Sequence, residues 1–134
     1  MAGGTHHAFR REGSGYCIFN DLAICAEHAL GRGQAERVLI LDLDVHQGDG
    51  TAEIFQGDDR VYTVSLHGQD NFPFRKKASD LYLGFSKGAG DEEFLAGLDR
   101  TLAQLSDQSF DLIFFQAGVD GLSADALGLL NLTR

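Results

Sequence analysis

The segment that most constrains the fold of this chain is residues 37–45. It reads Arg-Val-Leu-Ile-Leu-Asp-Leu-Asp-Val, an apolar run that lacks the strict alternation of a strand with one face in water. A run of this length and Val/Ile content is typical of a strand buried on both faces, and such strands are usually parallel. The sequence therefore predicts a parallel sheet that other elements cover on both sides.

Further strands and a first helix follow from the same kind of pattern. Residues 61–66 and 112–117 are short runs of branched and aromatic side chains, which predict two more strands. Asn20 is a natural helix N-cap, and apolar positions recur at helical spacing after it until Gly31 or Gly33. Strands that alternate with helices indicate an α/β fold with a parallel sheet.

Two more helices are expected between these strands. Residues 51–55 predict a short helix after the break at Gly48-Asp49-Gly50. Asp91 is expected to cap a longer helix, whose apolar face consists of Phe94, Leu95, Leu98, Leu102 and Leu105. Loops are expected over residues 1–18 and 67–77. Three strands with few helices leave sheet faces uncovered, so the sequence predicts one incomplete domain over residues 1–134.

The composition fits a globular domain and argues against two classes of partner. The 134 residues are 43% hydrophobic, which is enough for a buried core. Eleven Lys and Arg against 20 Asp and Glu give a net charge of −9, and the only basic cluster is Arg75-Lys76-Lys77. We therefore expect no nucleic-acid partner, whereas a cationic substrate is compatible with this charge. The longest apolar stretches, residues 38–41 and 112–115, are far shorter than the roughly 20 residues that cross a bilayer, so no membrane partner is expected.

The N-terminus and the cysteines predict the compartment. The N-terminal sequence has neither the basic nor the apolar region of a secretory signal, so we expect a cytoplasmic location. Cys17 and Cys25 do not have the spacing of a Cys-x-x-Cys pair. We expect both thiols to be reduced and Cys25 to lie in the core.

A candidate metal site lies at the carboxyl end of the first predicted strand, where ligands collect in open α/β sheets. Side chains alternate with a period of two, so Asp42, Asp44 and His46 would point to one side of that strand. Asp120, at the equivalent end of the third strand, can supply a further ligand. The pattern predicts a site of two carboxylates and one histidine. The alternative is that Asp42 and Asp44 only end the strand and cap the next turn.

The adjacent histidines His6 and His7 form a second pattern. Paired imidazoles can act as a general base and its electrostatic partner beside a metal-bound water. Each needs a carboxylate to orient it, and Asp42 and Asp49 are available. The alternative is a solvated loop. Two histidines outside these patterns are interpreted as structural, namely His28 and His67.

Taken together, these residues resemble the histone deacetylase family of the arginase–deacetylase superfamily. Six motifs occur in the family's order: Gly-Gly-Thr-His-His-Ala (3–8), Gly-Ser-Gly-Tyr-Cys-Ile-Phe-Asn-Asp (13–21), Asp-Leu-Asp-Val-His-Gln-Gly-Asp-Gly (42–50), Val-Ser-Leu-His (64–67), Phe-Pro (72–73) and Gln-Ala-Gly-Val-Asp (116–120). Residues 46–50 and 71–76 look most like the bacterial relatives of the class IV deacetylases. The resemblance implies a three-layer parallel-sheet fold, represented here by the central part of the domain.

The resemblance also implies which residues bind metal ions. The Zn²⁺ ligands would be Asp44, His46 and Asp120. This oxygen–nitrogen–oxygen set would also accept Fe²⁺. A structural K⁺ site would fall, mostly through backbone oxygens, on Asp42, Asp44, His46, Ser65 and Leu66.

Catalytic and substrate-binding groups are implied in the same way. His7, oriented by Asp49, would be the general base, and Asp42 would orient His6. A narrow tunnel for the acyl-lysine chain would be lined by Gly15, Tyr16 and Phe72. For the two aromatic residues the alternative is ordinary packing in the core or at the surface.

The implied activity is hydrolysis of an acetyl-amide, as in the deacetylation of acetyl-lysine in a protein. In the family a tyrosine from a glycine-rich loop near the C-terminus stabilises the oxyanion, and neither Tyr62 nor Tyr82 matches it. We therefore expect that tyrosine to be absent from the chain. The alternatives are an acetylpolyamine deacetylase, which acts on a small acetylated amine, a non-catalytic metal-binding fragment, and a purely structural domain.

Overall fold

A four-stranded parallel sheet forms the centre of the computed structural model, which describes residues 4–134. The strands are β1 (Val38–Asp42), β2 (Val61–Gly68), β3 (Leu81–Phe85) and β4 (Leu112–Gln116), arranged in the order β3-β2-β1-β4. All neighbouring strands are parallel. The predicted parallel sheet is thus confirmed, with one strand more than the sequence indicated. Gly3, the first residue of the motif at 3–8, lies outside the described residues.

Three α-helices accompany the sheet in the described part of the chain: α1 (Asp21–Gly31), α2 (Asp49–Ile54) and α3 (Asp91–Leu105). A short 3-10 turn, Thr5–His7, precedes them. The Asn20 side chain accepts a hydrogen bond from Ala23 N–H, which confirms the predicted cap of α1. None of these helices is long and apolar enough to span a membrane.

Helices cover both faces of the sheet, so the described residues form three layers. On one face α3 places Phe94 and Leu105 against a cluster that includes Leu39 and Leu66. On the other face the alanines of α1 and Phe55 pack against Val38, Ile40 and Val61. The central strands β1 and β2 are therefore buried on both sides, as the apolar run at 37–45 predicted.

The strands differ from the prediction in three places. β1 ends at Asp42 rather than at residue 45, because the Asp42 carboxylate accepts a hydrogen bond from Asp44 N–H and turns the chain. His67 belongs to β2 instead of the following loop, since β2 pairs with β3 as far as Gly68. The strand β3 itself lies in a region that the sequence pattern left without an element.

The third helix begins and packs differently from the prediction. Gly90 is its N-cap, and Asp91 instead accepts hydrogen bonds from the backbone and hydroxyl of Thr133. Its buried face consists of Phe94, Gly97, Thr101 and Leu105, whereas Leu95 and Leu102 are 56% and 45% exposed. The reason is a close approach: a β-carbon at Gly97 would lie 2.6 Å from the Phe85 ring, so only glycine fits there.

The expected core position of Cys25 is wrong. Helix α1 buries Ala23, Ala26 and Ala29, whose small side chains let the helix approach the sheet, and Cys25 lies on its exposed side. Cys17 and Cys25 form no disulfide among the described residues, and the reduced state of both thiols stays a prediction. Helix α2 begins at Asp49, two residues before the predicted start.

Candidate metal centre and histidine pairs

The candidate site lies where the chain leaves the carboxyl ends of β1 and β4. After Asp42 the backbone turns sharply, because Asp44 N–H donates to Asp42 Oδ1 at 3.0 Å and His46 N–H donates to Asp44 Oδ1 at 2.9 Å. This turn, rather than the alternation of a continuing strand, brings Asp44 and His46 to the same side. The predicted convergence is therefore present but has a different structural cause.

Asp44, His46 and Asp120 each offer one ligand atom, and these atoms all lie within 4.8 Å of one another. His46 Nδ1 is 3.1 Å from Asp44 Oδ1 and 3.0 Å from Asp120 Oδ2. The second oxygen of Asp120 accepts a hydrogen bond from Val45 N–H at 3.0 Å, which fixes the orientation of the carboxylate. The three predicted ligands are thus brought together by two strand ends that are distant in sequence.

A glycine makes this convergence possible. A β-carbon at Gly118 would lie 2.7 Å from Asp44 Cα and 2.5 Å from Asp44 Oδ2, closer than side chains pack in proteins. The segment after β4 can therefore approach the turn after β1 only because residue 118 has no side chain. Asp120 reaches His46 as a consequence of this approach.

The electrostatics of the three residues favour a cation between them. Hydrogen bonds to Asp120 and Asp44 raise the pKa of His46 to about 9, although partial burial opposes this shift. Two carboxylates that converge on one imidazole stabilise a positive charge, which can be a proton or a metal ion. The donor set therefore fits Zn²⁺, which binds through imidazole nitrogen and carboxylate oxygen.

The first His–Asp pair, His6 with Asp42, is buried. His6 is 0% exposed, and its Nδ1 donates to Asp42 Oδ2 at 2.5 Å. Burial by itself lowers the pKa of His6, but the charge and hydrogen bond of Asp42 outweigh burial and raise this pKa. Its other ring nitrogen, Nε2, is buried without a hydrogen-bond partner, 3.8 Å from Asp44 Oδ1. A buried polar atom in this state is uncommon and often marks a functional site.

The second His–Asp pair consists of His7 and Asp49, which is the first residue of α2. His7 Nδ1 donates to Asp49 Oδ1 at 2.7 Å, and both side chains are buried. A carboxylate can only accept, so Nδ1 holds the proton and Nε2 keeps its lone pair in the neutral imidazole. The ring of His7 lies 5.9 Å from that of His46, between centroids. His7 thus has a free acceptor nitrogen close to the metal-ligand cluster.

The Thr5–His7 turn is supported by Asn20, a contribution that the sequence pattern did not predict. Besides capping α1, the Asn20 amide donates to Ala8 O at 3.2 Å and to Thr51 Oγ1 at 3.0 Å. One buried side chain therefore links the histidine turn to α1 and α2. The only sequence signal for this link is that the cap residue is Asn. Among the residues Asn, Ser, Thr and Asp that favour this position, Asn alone has an amide donor.

The three predicted tunnel residues are placed differently. Gly15 lies against the His7 ring, where a β-carbon would come within 2.5 Å of His7 Cδ2. The Phe72 ring packs edge-on to His7, with 4.9 Å between centroids. Tyr16 has a φ of +62° and is fully exposed, so its side chain points into solvent. Gly15 and Phe72 are thus beside His7, and Tyr16 extends away from the protein.

The residues predicted to bind K⁺ lie near the carboxyl ends of β1 and β2 or in the turn after β1. Ser65 lies opposite Asp42 across β1 and β2, and Leu66 is fully buried. The Ser65 hydroxyl and His67 Nδ1 are hydrogen-bonded at 2.9 Å. Burial lowers the pKa of His67 to about 4, so this imidazole is neutral near pH 7. K⁺ binding here stays a prediction, as does the structural interpretation of His67.

Comparison with known proteins decides the family. The family described as "Histone deacetylase domain" matches residues 1–134. The chain belongs to the histone deacetylase family. Histone deacetylase 2 of Arabidopsis thaliana is 34% identical over 138 residues, which cover 99% of this chain and 35% of that protein. An uncharacterized protein of Picosynechococcus is 53% identical over 134 residues, 99% of this chain and 45% of that protein.

Solved structures of the histone deacetylase family share this fold. An HDAC homolog complexed with SAHA has a TM-score of 0.86 at 33% identity, over 98% of this chain and 39% of that chain. An acetylpolyamine aminohydrolase from Burkholderia pseudomallei has a TM-score of 0.83 at 27% identity, over 94% of this chain and 40% of that chain. The chain thus spans less than half the length of these relatives. Its placement near the class IV deacetylases stays a prediction.

Proposed function

We propose that this histone deacetylase domain takes part in Zn²⁺-dependent hydrolysis of an acetyl-amide, with acetyl-lysine in a protein as the substrate. The observation that carries the proposal is the grouping of two His–Asp pairs beside the Asp44, His46 and Asp120 cluster. A metal site alone fits many functions. A metal site flanked by two oriented imidazoles fits proton transfer during hydrolysis.

Asp44, His46 and Asp120 would hold the metal, with Zn²⁺ as the proposed ion and Fe²⁺ as the alternative. When bound, the ion polarises the acetyl carbonyl and lowers the pKa of a water molecule. The residues of this chain then have to position the ion and move protons. Val45 N–H donates a hydrogen bond to Asp120 and so helps to position the ion.

His7 is proposed to remove the proton from the attacking water. Its Nδ1 is committed to Asp49, which leaves Nε2 as the acceptor, and the negative charge of Asp49 stabilises the imidazolium that forms. Its low exposure favours efficient transfer, because bulk water does not compete for the proton.

His6 is proposed to be the electrostatic partner of His7. Asp42 holds the Nδ1 proton of His6, and Nε2 is the buried atom that lacks a partner. This nitrogen can donate to a bound substrate or water once the site is filled. The amine that leaves when the C–N bond breaks receives its proton from one of the two histidines or from water, and acetate is the other product.

The aliphatic side chain of the acyl-lysine is proposed to lie between Gly15 and Phe72, with Tyr16 at the outer end. Gly15 and Phe72 lie against His7, which supports this assignment for both of them. The exposed Tyr16 ring would contact the substrate outside the site. A solved structure of an HDAC homolog is a complex with SAHA, which supports ligand binding by a domain of this fold.

Two further predictions belong to this proposal. A K⁺ ion would be bound at the ends of β1 and β2 by the set Asp42, Asp44, His46, Ser65 and Leu66. The protein would act in the cytoplasm.

The proposal is tested by acetate release from an acetyl-lysine peptide with Zn²⁺-loaded protein. His7→Ala should lower kcat by about 10²- to 10⁴-fold and keep its Zn²⁺. Asp44→Ala should lose both activity and Zn²⁺. A His7→Ala variant that retains full activity would disprove the general-base assignment.

A second candidate substrate is an acetylated polyamine, which the fold match to an acetylpolyamine aminohydrolase supports. Comparing the acetyl-lysine peptide with acetylspermidine separates the two, and we expect the peptide to be preferred by more than a few-fold. A third candidate is a non-catalytic metal-binding fragment. It predicts Zn²⁺ retention without acetate release from either substrate.

A further inference from the structure

Gln47 directly follows the metal-ligand candidate His46, and its side chain is fully buried. Its carboxamide makes two hydrogen bonds to one residue: Nε2 donates to Lys77 O, and Lys77 N–H donates to Oε1, both at 2.8 Å. The side chain therefore pairs with the backbone of Lys77 as a neighbouring strand would. It ties the turn after β1 to a position 30 residues further along the chain.

The segment between β2 and Lys77, residues 68–77, begins at the same turn. Gly68 N–H donates to Val45 O at 2.8 Å. Val45 and Gln47 flank His46, so both ends of this ten-residue loop are bonded to the neighbours of one metal-ligand candidate. We call residues 68–77 the anchored loop.

Polar contacts also fix the interior of the anchored loop. Lys76 Nζ donates to Asn71 O at 2.6 Å and to Pro73 O at 2.7 Å, across the top of the loop. The Asn71 amide donates to Leu127 O at 2.8 Å and accepts from Leu129 N–H at 3.2 Å. The loop therefore has a defined shape, which its two anchors hold in one orientation.

The anchored loop carries Phe72, whose ring lies edge-on to His7. The Phe72 ring is 40% exposed, so its position depends on the contacts that shape the anchored loop as well as on core packing. Among the described residues, Gly68 and Gln47 supply the hydrogen bonds between this loop and the turn that carries His46, and Lys77 Nζ also pairs with Glu53 on α2.

We propose that Gln47 is a positioning residue for the deacetylation reaction: through the backbone of Lys77 it holds the anchored loop so that Phe72 stays against His7. The inference rests on the proposed function, in which Phe72 forms one wall for the aliphatic chain of the acyl-lysine. Gln47 touches neither substrate nor the reacting atoms. It acts on how well that aliphatic chain is held.

The test compares Gln47→Met, which keeps length and burial but removes both hydrogen bonds, with Thr63→Val. Thr63 is also buried on β2, and its hydroxyl donates at 2.8 Å to Asp80, which lies three residues beyond the anchored loop. Each variant removes the hydrogen bonds of one buried polar side chain, so we expect the two variants to lower the free energy of unfolding by similar amounts. If Gln47→Met does not fold, Gln47→Glu, which keeps the acceptor for Lys77 N–H, replaces it.

The first readout is amide hydrogen exchange in the Zn²⁺-loaded protein. Gln47→Met should speed amide exchange in the anchored loop by about tenfold and leave exchange in β1 unchanged. The loop would open more easily, because opening would no longer require the two hydrogen bonds between Gln47 and Lys77 to break. Thr63→Val should leave the anchored loop unchanged. An anchored loop that stays equally protected in Gln47→Met overturns the proposal, whether or not the protein is active.

The second readout is the binding of two hydroxamates that share a metal-chelating group and differ in chain length. Gln47→Met should weaken octanohydroxamate by about tenfold and acetohydroxamate by less than about twofold, because only the long chain reaches along Phe72. For the acetyl-lysine peptide the loss should appear in KM, with kcat maintained. Equal effects on both hydroxamates overturn the proposal.

These readouts separate the inference from the function on which it rests. Absence of hydrolysis by the wild-type protein refutes the proposed activity, and the exchange and hydroxamate results then decide the role of Gln47 alone. A KM for the acetyl-lysine peptide that Gln47→Met leaves unchanged refutes the inference and leaves the proposed function intact.

Discussion

Replacing Gly118 by alanine tests how the metal site is assembled, without removing any ligand. The new β-carbon would lie 2.7 Å from Asp44 Cα, about 0.7 Å short of the 3.4 Å at which ordinary contact begins. The obstructing atom belongs to the backbone and cannot rotate away. The segment after β4 must therefore move away from the turn after β1, and Asp120 moves with it.

The size of the effect follows from this displacement. Metal–ligand distances tolerate only about ±0.2 Å, so a shift of more than half an ångström removes Asp120 from productive geometry. We expect Zn²⁺ affinity to fall by about 10- to 100-fold. Overpacking should also lower the free energy of unfolding by about 1–3 kcal/mol.

Zn²⁺ affinity is measured by competition with a chromophoric chelator, and stability by urea denaturation. The matched control is Gly31→Ala at the end of α1, where a β-carbon would meet nothing within 4 Å. The control should keep wild-type affinity and gain up to about 1 kcal/mol of stability, since alanine favours the helix. A Gly118→Ala variant that binds Zn²⁺ within twofold of the wild type would refute the reasoning.

Three further substitutions test separate parts of the account. Asp49→Asn should lower kcat/KM by about 10- to 100-fold with metal content unchanged, because His7 loses the charge that orients it; an unaltered kcat/KM would exclude this role. Ile40→Ala, in the buried centre of β1, should cost about 2–5 kcal/mol in urea denaturation. A loss below about 1 kcal/mol would contradict the tight packing inferred there. Asn20→Ala should cost more than Asn20→Asp, which keeps the acceptor for Ala23 N–H worth about 1 kcal/mol; equal thermal shifts would show that this acceptor contributes nothing.

Much of the central sheet could be predicted because its signal is local. The apolar run that contains β1 identifies a doubly buried strand without knowledge of its neighbours. Asp44 and His46 follow β1 and Asp120 follows β4, and the carboxyl ends of parallel strands meet at one edge. The structure brings these three residues together, although the turn after Asp42 does so in place of strand alternation.

The strand β3 could not be predicted because its signal is not local. Its five residues include Gly84 and the half-exposed Tyr82, so the apolar pattern is short and interrupted. A β-carbon at Gly84 would lie 2.1 Å from Gln69 Oε1, and this contact depends on the folded chain. Pairing with β2 defines this strand, and such pairing is decided by tertiary structure.

Long-range hydrogen bonds account for the remaining differences. Asp91 has the sequence context of an N-cap, but its carboxylate binds Thr133, 42 residues away. Gln47 follows a metal-ligand candidate and instead binds the backbone of Lys77. In each case a polar side chain has several possible partners, and only the fold determines which of them is near.

The most direct test of the proposed metal centre is the Zn²⁺ content of purified, monodisperse protein, with Asp44→Ala as the control. We expect about one Zn²⁺ per chain in the wild type and almost none in Asp44→Ala, because the loss of one of three protein ligands abolishes tight binding. A wild-type protein without Zn²⁺, or an Asp44→Ala variant that retains it, would contradict the assignment of Asp44, His46 and Asp120 as the metal ligands.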